Sequence, residues 1–155
     1  MDRASSGVMQ KMNDEAPRWL QVASQELGIS EIVGLDANKR ILQYNSCTSL
    51  NAQSDEVPWC SSFVNWCVKQ SMLKGTFSAA ARSWLSWGYE CEPRYGCIVI
   101  LRRGNSETQG HVGFLVDHDD LFVHLLGGNQ GNKVSIQKFA KHEVIGYRWP
   151  FKVVA

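Results

Sequence analysis

Apolar positions divide the chain into a helical first half and a strand-rich second half. Trp19, Leu20, Ala23 and Leu27 recur at helical spacing behind Pro17, and Gly28 marks a stop. Residues 40–44 predict a second short helix, and 47–56 read as a polar loop. From Trp59 onward, Phe63, Val64, Trp66, Cys67 and Val68 form a wide apolar face, and Gly75 ends that region. Pro58 is placed in this helix's first turn, and Asp55 and Glu56 ahead of it complement the positive end of the helix dipole. Ser78 opens a further helix through Ala79–Ala81, Trp84, Leu85 and Trp87, stopped by Gly88. After Gly96 the period changes. Residues 97–101 are a continuous apolar run, as expected of a buried strand. Residues 111–116, 121–126, 134–136 and 144–148 read as further strands, with a turn at 117–120. Helices first and an antiparallel sheet second predict an α+β fold.

The whole chain, 155 residues, is one domain's worth of sequence. Residues 1–15 read as a flexible polar lead and 16–155 as a single domain. Six Trp, six Phe and four Tyr in a chain that is 44% hydrophobic exclude an intrinsically disordered protein. A net charge of +1 leaves no electrostatic footprint for nucleic acid or an anionic membrane. No apolar run approaches the roughly 20 residues of a membrane span. The polar N-terminus shows no Sec-type signal.

Five cysteines, Cys47, Cys60, Cys67, Cys91 and Cys97, leave at least one unpaired, and none shows zinc-knuckle spacing. Cys60 stands two residues after Pro58, in the first turn of its helix. Unpaired N–H groups there favour a thiolate, lowering the pKa below that of free cysteine. The bland alternative is a small core residue beside Trp59. A thiolate needs a base, and two of the four histidines compete for the role. If the 111–126 hairpin turns at 118–120, position 111 pairs with 127. His111, Gly113 and Asp117 then share a face with Gly127 and Asn129, and His124 points the other way. A catalytic imidazole needs a partner on its second nitrogen. Asn129 can serve, or be a turn residue. Gln130 can substitute, or donate to an oxyanion alongside the backbone N–H of Cys60.

Pro58-Trp59-Cys60-Ser61-Ser62-Phe63-Val64-Asn65-Trp66-Cys67, with Gly110-His111-Val112-Gly113-Phe114 and Leu126-Gly127-Gly128-Asn129-Gln130-Gly131, resembles the CHAP and NlpC-type cysteine peptidoglycan hydrolases. Further matches run through residues 38–44, 81–85 and 146–148, so the resemblance covers about residues 17–150. It implies a papain-like fold, with N-terminal helices packed on an antiparallel sheet. It also implies hydrolysis of an amide bond in cell-wall stem peptide. Carried over, Cys60 is the nucleophile, His111 the general base and Asn129 the third residue. Many of these enzymes carry a Glu two positions before that Asn, where Gly127 stands here.

Trp59, Trp84, Arg82 and Gln130 are the expected substrate-binding residues, with Trp87, Tyr89 and Arg40 as further candidates. Neither metal nor other cofactor is expected, because Asp55-Glu56 and Asp119-Asp120 are too sparse for calcium. The bond is read as D-Glu to diaminopimelate. The alternatives are the N-acetylmuramoyl-L-alanine amide, a silent wall-binding module, and another thiol acyl transferase. The expected setting is the periplasm or wall, reached by a monomeric antibacterial effector or phage lysin. An effector would have an immunity protein as partner.

Overall fold

The computed structural model describes residues 16–34 and 36–151. The lead expected at 1–15 lies outside them. Helix α1, Arg18–Ser24, starts where Pro17 places its carbonyl to accept the Leu20 and Gln21 N–H groups. Helix α2, Lys39–Asn45, is capped by Asn38, whose side chain accepts the Arg40 N–H at 2.8 Å. Helix α3, Cys60–Gln70, is the central helix and buries Cys60 through Asn65 together with Cys67 and Val68. A 3₁₀ helix forms at Ala81–Ser86, where a longer α-helix was expected.

The strands are β1 (Tyr89–Glu90), β2 (Ile98–Arg102), β3 (Gly110–His118), β4 (Phe122–Gly127), β5 (Ser135–Ala140) and β6 (Val144–Trp149). They form one antiparallel sheet in the order β1-β6-β2-β3-β4-β5. The α+β, papain-like expectation is therefore met. β2 and β3 occupy the middle, which explains their unbroken apolar runs.

Two expectations about the approach to α3 need correcting. Trp59 is the N-cap and Cys60 the first helical residue, so Pro58 stays outside the helix. Asp55 does not serve the helix dipole. It is buried, and its carboxylate accepts the Ile32 and Asn38 N–H groups at 2.9 Å each, pinning the loop between α1 and α2.

The polar residues of α3 tie the Phe77–Ser78 loop and Trp84 to the helix. Ser61 Oγ donates to the Ser78 carbonyl (2.7 Å) and accepts from Trp84 Nε1 (2.9 Å). Asn65 Nδ2 donates to the Ser61 and Ser78 carbonyls, and its Oδ1 accepts the Phe77 N–H. On the other side, Tyr44 packs on Trp59, Phe63 and Trp66 and donates its hydroxyl to Glu26 (2.8 Å).

The turn after β4 approaches this core closely. A Cβ at Gly128 would lie 2.6–2.8 Å from Trp59 ring atoms and Phe63 Cβ. Both neighbours are fully buried and rigid. Gly128→Ala is therefore expected to lower stability by about 1–3 kcal/mol through overpacking. Urea titration would show this as a lower midpoint at constant slope.

Candidate active site

Helix α3 brings Cys60 to the start of β3, where His111 is the second residue. Both are almost completely buried, each 5% exposed. Burial alone would raise the Cys60 pKa. The neighbouring His111 opposes it, with help from the Val112 backbone and Arg103, and holds the thiol below its ordinary 9.0. Burial likewise pushes His111 down. The neighbouring Cys60, then the hydrogen bond to Gln130, outweigh it and lift the imidazole above its ordinary 6.5. Each shift has the other residue as its main favourable cause, so each residue favours the charged form of the other.

Gln130 determines which ring nitrogen does what. Its Oε1 lies 2.8 Å from His111 Nε2. Its Nε2 donates to the Leu125 carbonyl (3.0 Å) and the Ser135 carbonyl (2.7 Å). Two carbonyls on the amide nitrogen fix the amide's orientation, so the oxygen must face His111. That oxygen can only accept, so His111 Nε2 carries a proton in either charge state. Nδ1, buried and without a hydrogen-bond partner among the described residues, is then the ring nitrogen left available to Cys60.

Glycine makes this reach possible. A Cβ at Gly127 would sit 2.5 Å from Gln130 Oε1. Position 127, where the resemblance implies a Glu, carries no side chain, and the Gln130 side chain fills the space.

Asn129 does not contact His111 in this way. It adopts φ 58° in the turn and lines the open cleft beside the ring. The expected orienting partner is thus displaced by one residue. Asn tolerates the left-handed conformation the turn requires, which frees its successor to point inward. Gln130 is 4% exposed, and its amide nitrogen is occupied by the two carbonyls, so it is not placed to donate to an oxyanion. The N–H of Cys60, at the first position of α3, has no acceptor within the helix.

The hairpin register differs in detail from the expected one. Phe114 pairs with Leu126 and Leu115 with Leu125, then a bulge shifts Asp117 opposite His124. Before the bulge the register is two residues from the expected one, an even slip, so His111, Gly113 and Gly127 still share one face, whereas Asp117, expected on that face, lies opposite His124. Leu126, and hence His124, alternates to the other.

Three other expected substrate residues are used elsewhere. Trp59 and Trp84 are fully buried and present no face to a ligand. Arg82 donates from Nε to the Gln109 carbonyl (2.9 Å) and from its NH2 nitrogen to the Ser106 carbonyl (2.6 Å), bracing the β2–β3 loop. Arg40 pairs with Glu26 (3.0 Å). Trp87 donates its Nε1 to the Lys74 carbonyl, and exposed Tyr89 lies in a separate cleft at β1.

Open space flanks the pair on both sides. A cleft of about 410 Å³ borders His111, Asn129, Gln130 and Phe139. A second, of about 300 Å³, borders Cys60, Pro58, Ala80 and Gly110. Arg103 lines both. It was missed in the sequence because an exposed arginine in a polar loop breaks no pattern. Among the described residues, no group of three or more His, Cys, Asp or Glu side chains is placed to hold a metal ion. No helix among them is long and apolar enough to cross a membrane.

A family model described as CHAP domain matches residues 52–129, which include Cys60 and His111. No curated protein matches the chain.

Proposed function

The chain belongs to the CHAP domain family, the cysteine- and histidine-dependent amidases and peptidases of peptidoglycan, and we propose that it hydrolyses the D-Glu to diaminopimelate amide of the stem peptide. The observation that carries the reading is the buried Cys60–His111 pair set at the junction of two clefts. The Cys60 thiolate attacks the scissile carbonyl, and the Cys60 N–H donates to the developing oxyanion. As the tetrahedral species collapses, the C–N bond breaks and the proton on His111 Nδ1 passes to the leaving amine. Neutral Nδ1 then removes a proton from water as it attacks the thioester. The acid is released, and the proton returns the site to its ion-paired state. Gln130 is the positioning residue that keeps Nδ1 aimed at the sulfur throughout.

Mass spectrometry of muropeptides from digested sacculi tests this reading. The expected product is a disaccharide ending in L-Ala-D-Glu, together with a peptide bearing a new diaminopimelate amine. Intact stem peptides with free L-Ala would identify the amidase instead. Binding without release, unchanged in Cys60→Ala, would identify a silent wall-binding module. The setting proposed is the periplasm or wall, entered by an effector or a lysin. An effector's immunity protein would cover the clefts beside Cys60. Periplasm-directed expression should lyse a diaminopimelate-containing host, and cytoplasmic expression should not.

The pair also dictates a pH profile. Activity needs the thiolate and the imidazolium together. The ascending limb of kcat/KM, tracking Cys60 ionisation, should fall below 9.0, and the descending limb, tracking proton loss from His111, above 6.5. A single ascending limb at or above 9.0 would contradict the pair.

A further inference from the structure

Arg103 stands where the two clefts meet, lining one with His111 and the other with Cys60. Its backbone is fixed, because the Arg103 carbonyl accepts the Ser106 N–H at 3.2 Å and Arg82 braces the same loop at Ser106 and Gln109. Its side chain is exposed, and no carboxylate pairs with it among the described residues. The adjacent Arg102 is already occupied, bonded to Glu143 at 2.7 Å. Arg103 is therefore an uncommitted guanidinium, carried on a braced loop, in the cleft that Cys60 borders. Such a group takes a carboxylate in a two-point hydrogen bond.

We propose that Arg103 is a specificity-determining residue that binds a free substrate carboxylate next to the scissile amide. The proposal rests on the hydrolase reading above and narrows it. A glutamate linked through its γ-carbonyl keeps its α-carboxylate free, one residue's reach from the carbonyl under attack. The amide between the muramyl lactyl group and L-Ala has no such neighbour. Arg103 thus favours γ-glutamyl bonds over the amidase bond, and favours the free acid over its α-carboxamide.

The test uses Cys60→Ala protein, which binds without turnover, titrated calorimetrically with two stem tetrapeptides. One carries the free D-Glu α-carboxylate and the other the corresponding carboxamide. The acid should bind about ten-fold tighter or more, as expected for a charge-assisted pair. Arg103→Gln should erase the difference, and Arg103→Lys should restore only part of it. Equal affinities, a preference that survives Arg103→Gln, or no binding of either peptide would each overturn the proposal. Digestion of sacculi by the unsubstituted protein separates the two levels. Stem-peptide release without an Arg103-dependent preference removes this inference and leaves the hydrolase standing. No release removes the hydrolase reading itself.

Discussion

Replacing Cys60 with serine is expected to lower turnover of a stem-peptide substrate by roughly 10⁴-fold or more, the scale seen when a covalent nucleophile is removed. The fold should survive, because the change is nearly isosteric and the site is already buried in a polar pair. The loss has a specific physical origin. A thiol can be held ionised beside a histidine, whereas a hydroxyl in the same place cannot. The oxygen would depend on proton removal during attack, from a histidine poised to give a proton. Circular dichroism and a urea midpoint close to those of the unsubstituted protein would show that chemistry alone has been lost. If Cys60→Ser retained more than about a tenth of the activity, the covalent mechanism would be wrong.

Gln130→Ala should have the second largest effect, lowering kcat by about 10²-fold or more with little change in KM. The alanine leaves His111 Nε2 without its acceptor and the Leu125 and Ser135 carbonyls without their donor. The ring can then adopt the wrong tautomer or rotate away from the sulfur. Stability should also fall, by about 1–3 kcal/mol for the buried groups left unpaired. A merely structural role would move stability alone. A positioning role also moves the pH profile. The Gln130 bond supports the charged imidazole, so its loss should bring the descending limb to lower pH. Gln130→Glu keeps the acceptor for His111 but cannot donate to the two carbonyls, so it should move that limb upward while costing stability. Gly127→Ala approaches the same question from the opposite side. Its Cβ would occupy the space that Gln130 Oε1 uses, so it should reproduce the kinetic loss with Gln130 still in place. An unchanged kcat and an unchanged limb in Gln130→Ala would mean that His111 is held by something else.

Much of the architecture was legible in the sequence, for reasons that can be named. Pro17 marks a helix start, residues 40–44 read as a short helix, and the apolar run at 97–101 reads as a buried strand. Cys60 at a helix N-terminus and His111 at the start of a strand are local features with local signals. What failed depended on long-range packing. Trp59 and Trp84 read as groove walls but are core, because α3 and the 3₁₀ helix turn those faces inward. Arg82 read as a ligand contact and Asp55 as a charge serving the helix dipole. Each is used up by backbone groups distant in sequence. The hairpin bulge at Val116 has no composition signature, and the even slip before it preserved the shared face of His111 and Gly127.

The third site residue shows how a missing side chain can be a signal. Asn129 and Gln130 are both plausible amides by chemistry. A turn that needs a left-handed residue at 129 assigns Asn129 to the backbone and Gln130 to the interior. Gly127 was visible as a departure from related sequences, yet its meaning needed the third dimension. It clears the space that Gln130 Oε1 occupies on its way to His111.

The charge state of Cys60 is most directly read from thiolate absorbance near 240 nm followed against pH, as the difference between the unsubstituted protein and Cys60→Ser. Subtracting the serine variant removes Cys91, whose thiol is also lowered, by its hydrogen bond to Cys97. The expected trace is a one-thiolate step with its midpoint below 9.0 that moves upward in His111→Ala. A step at or above 9.0, unmoved by His111→Ala, would contradict the ion pair on which the mechanism depends.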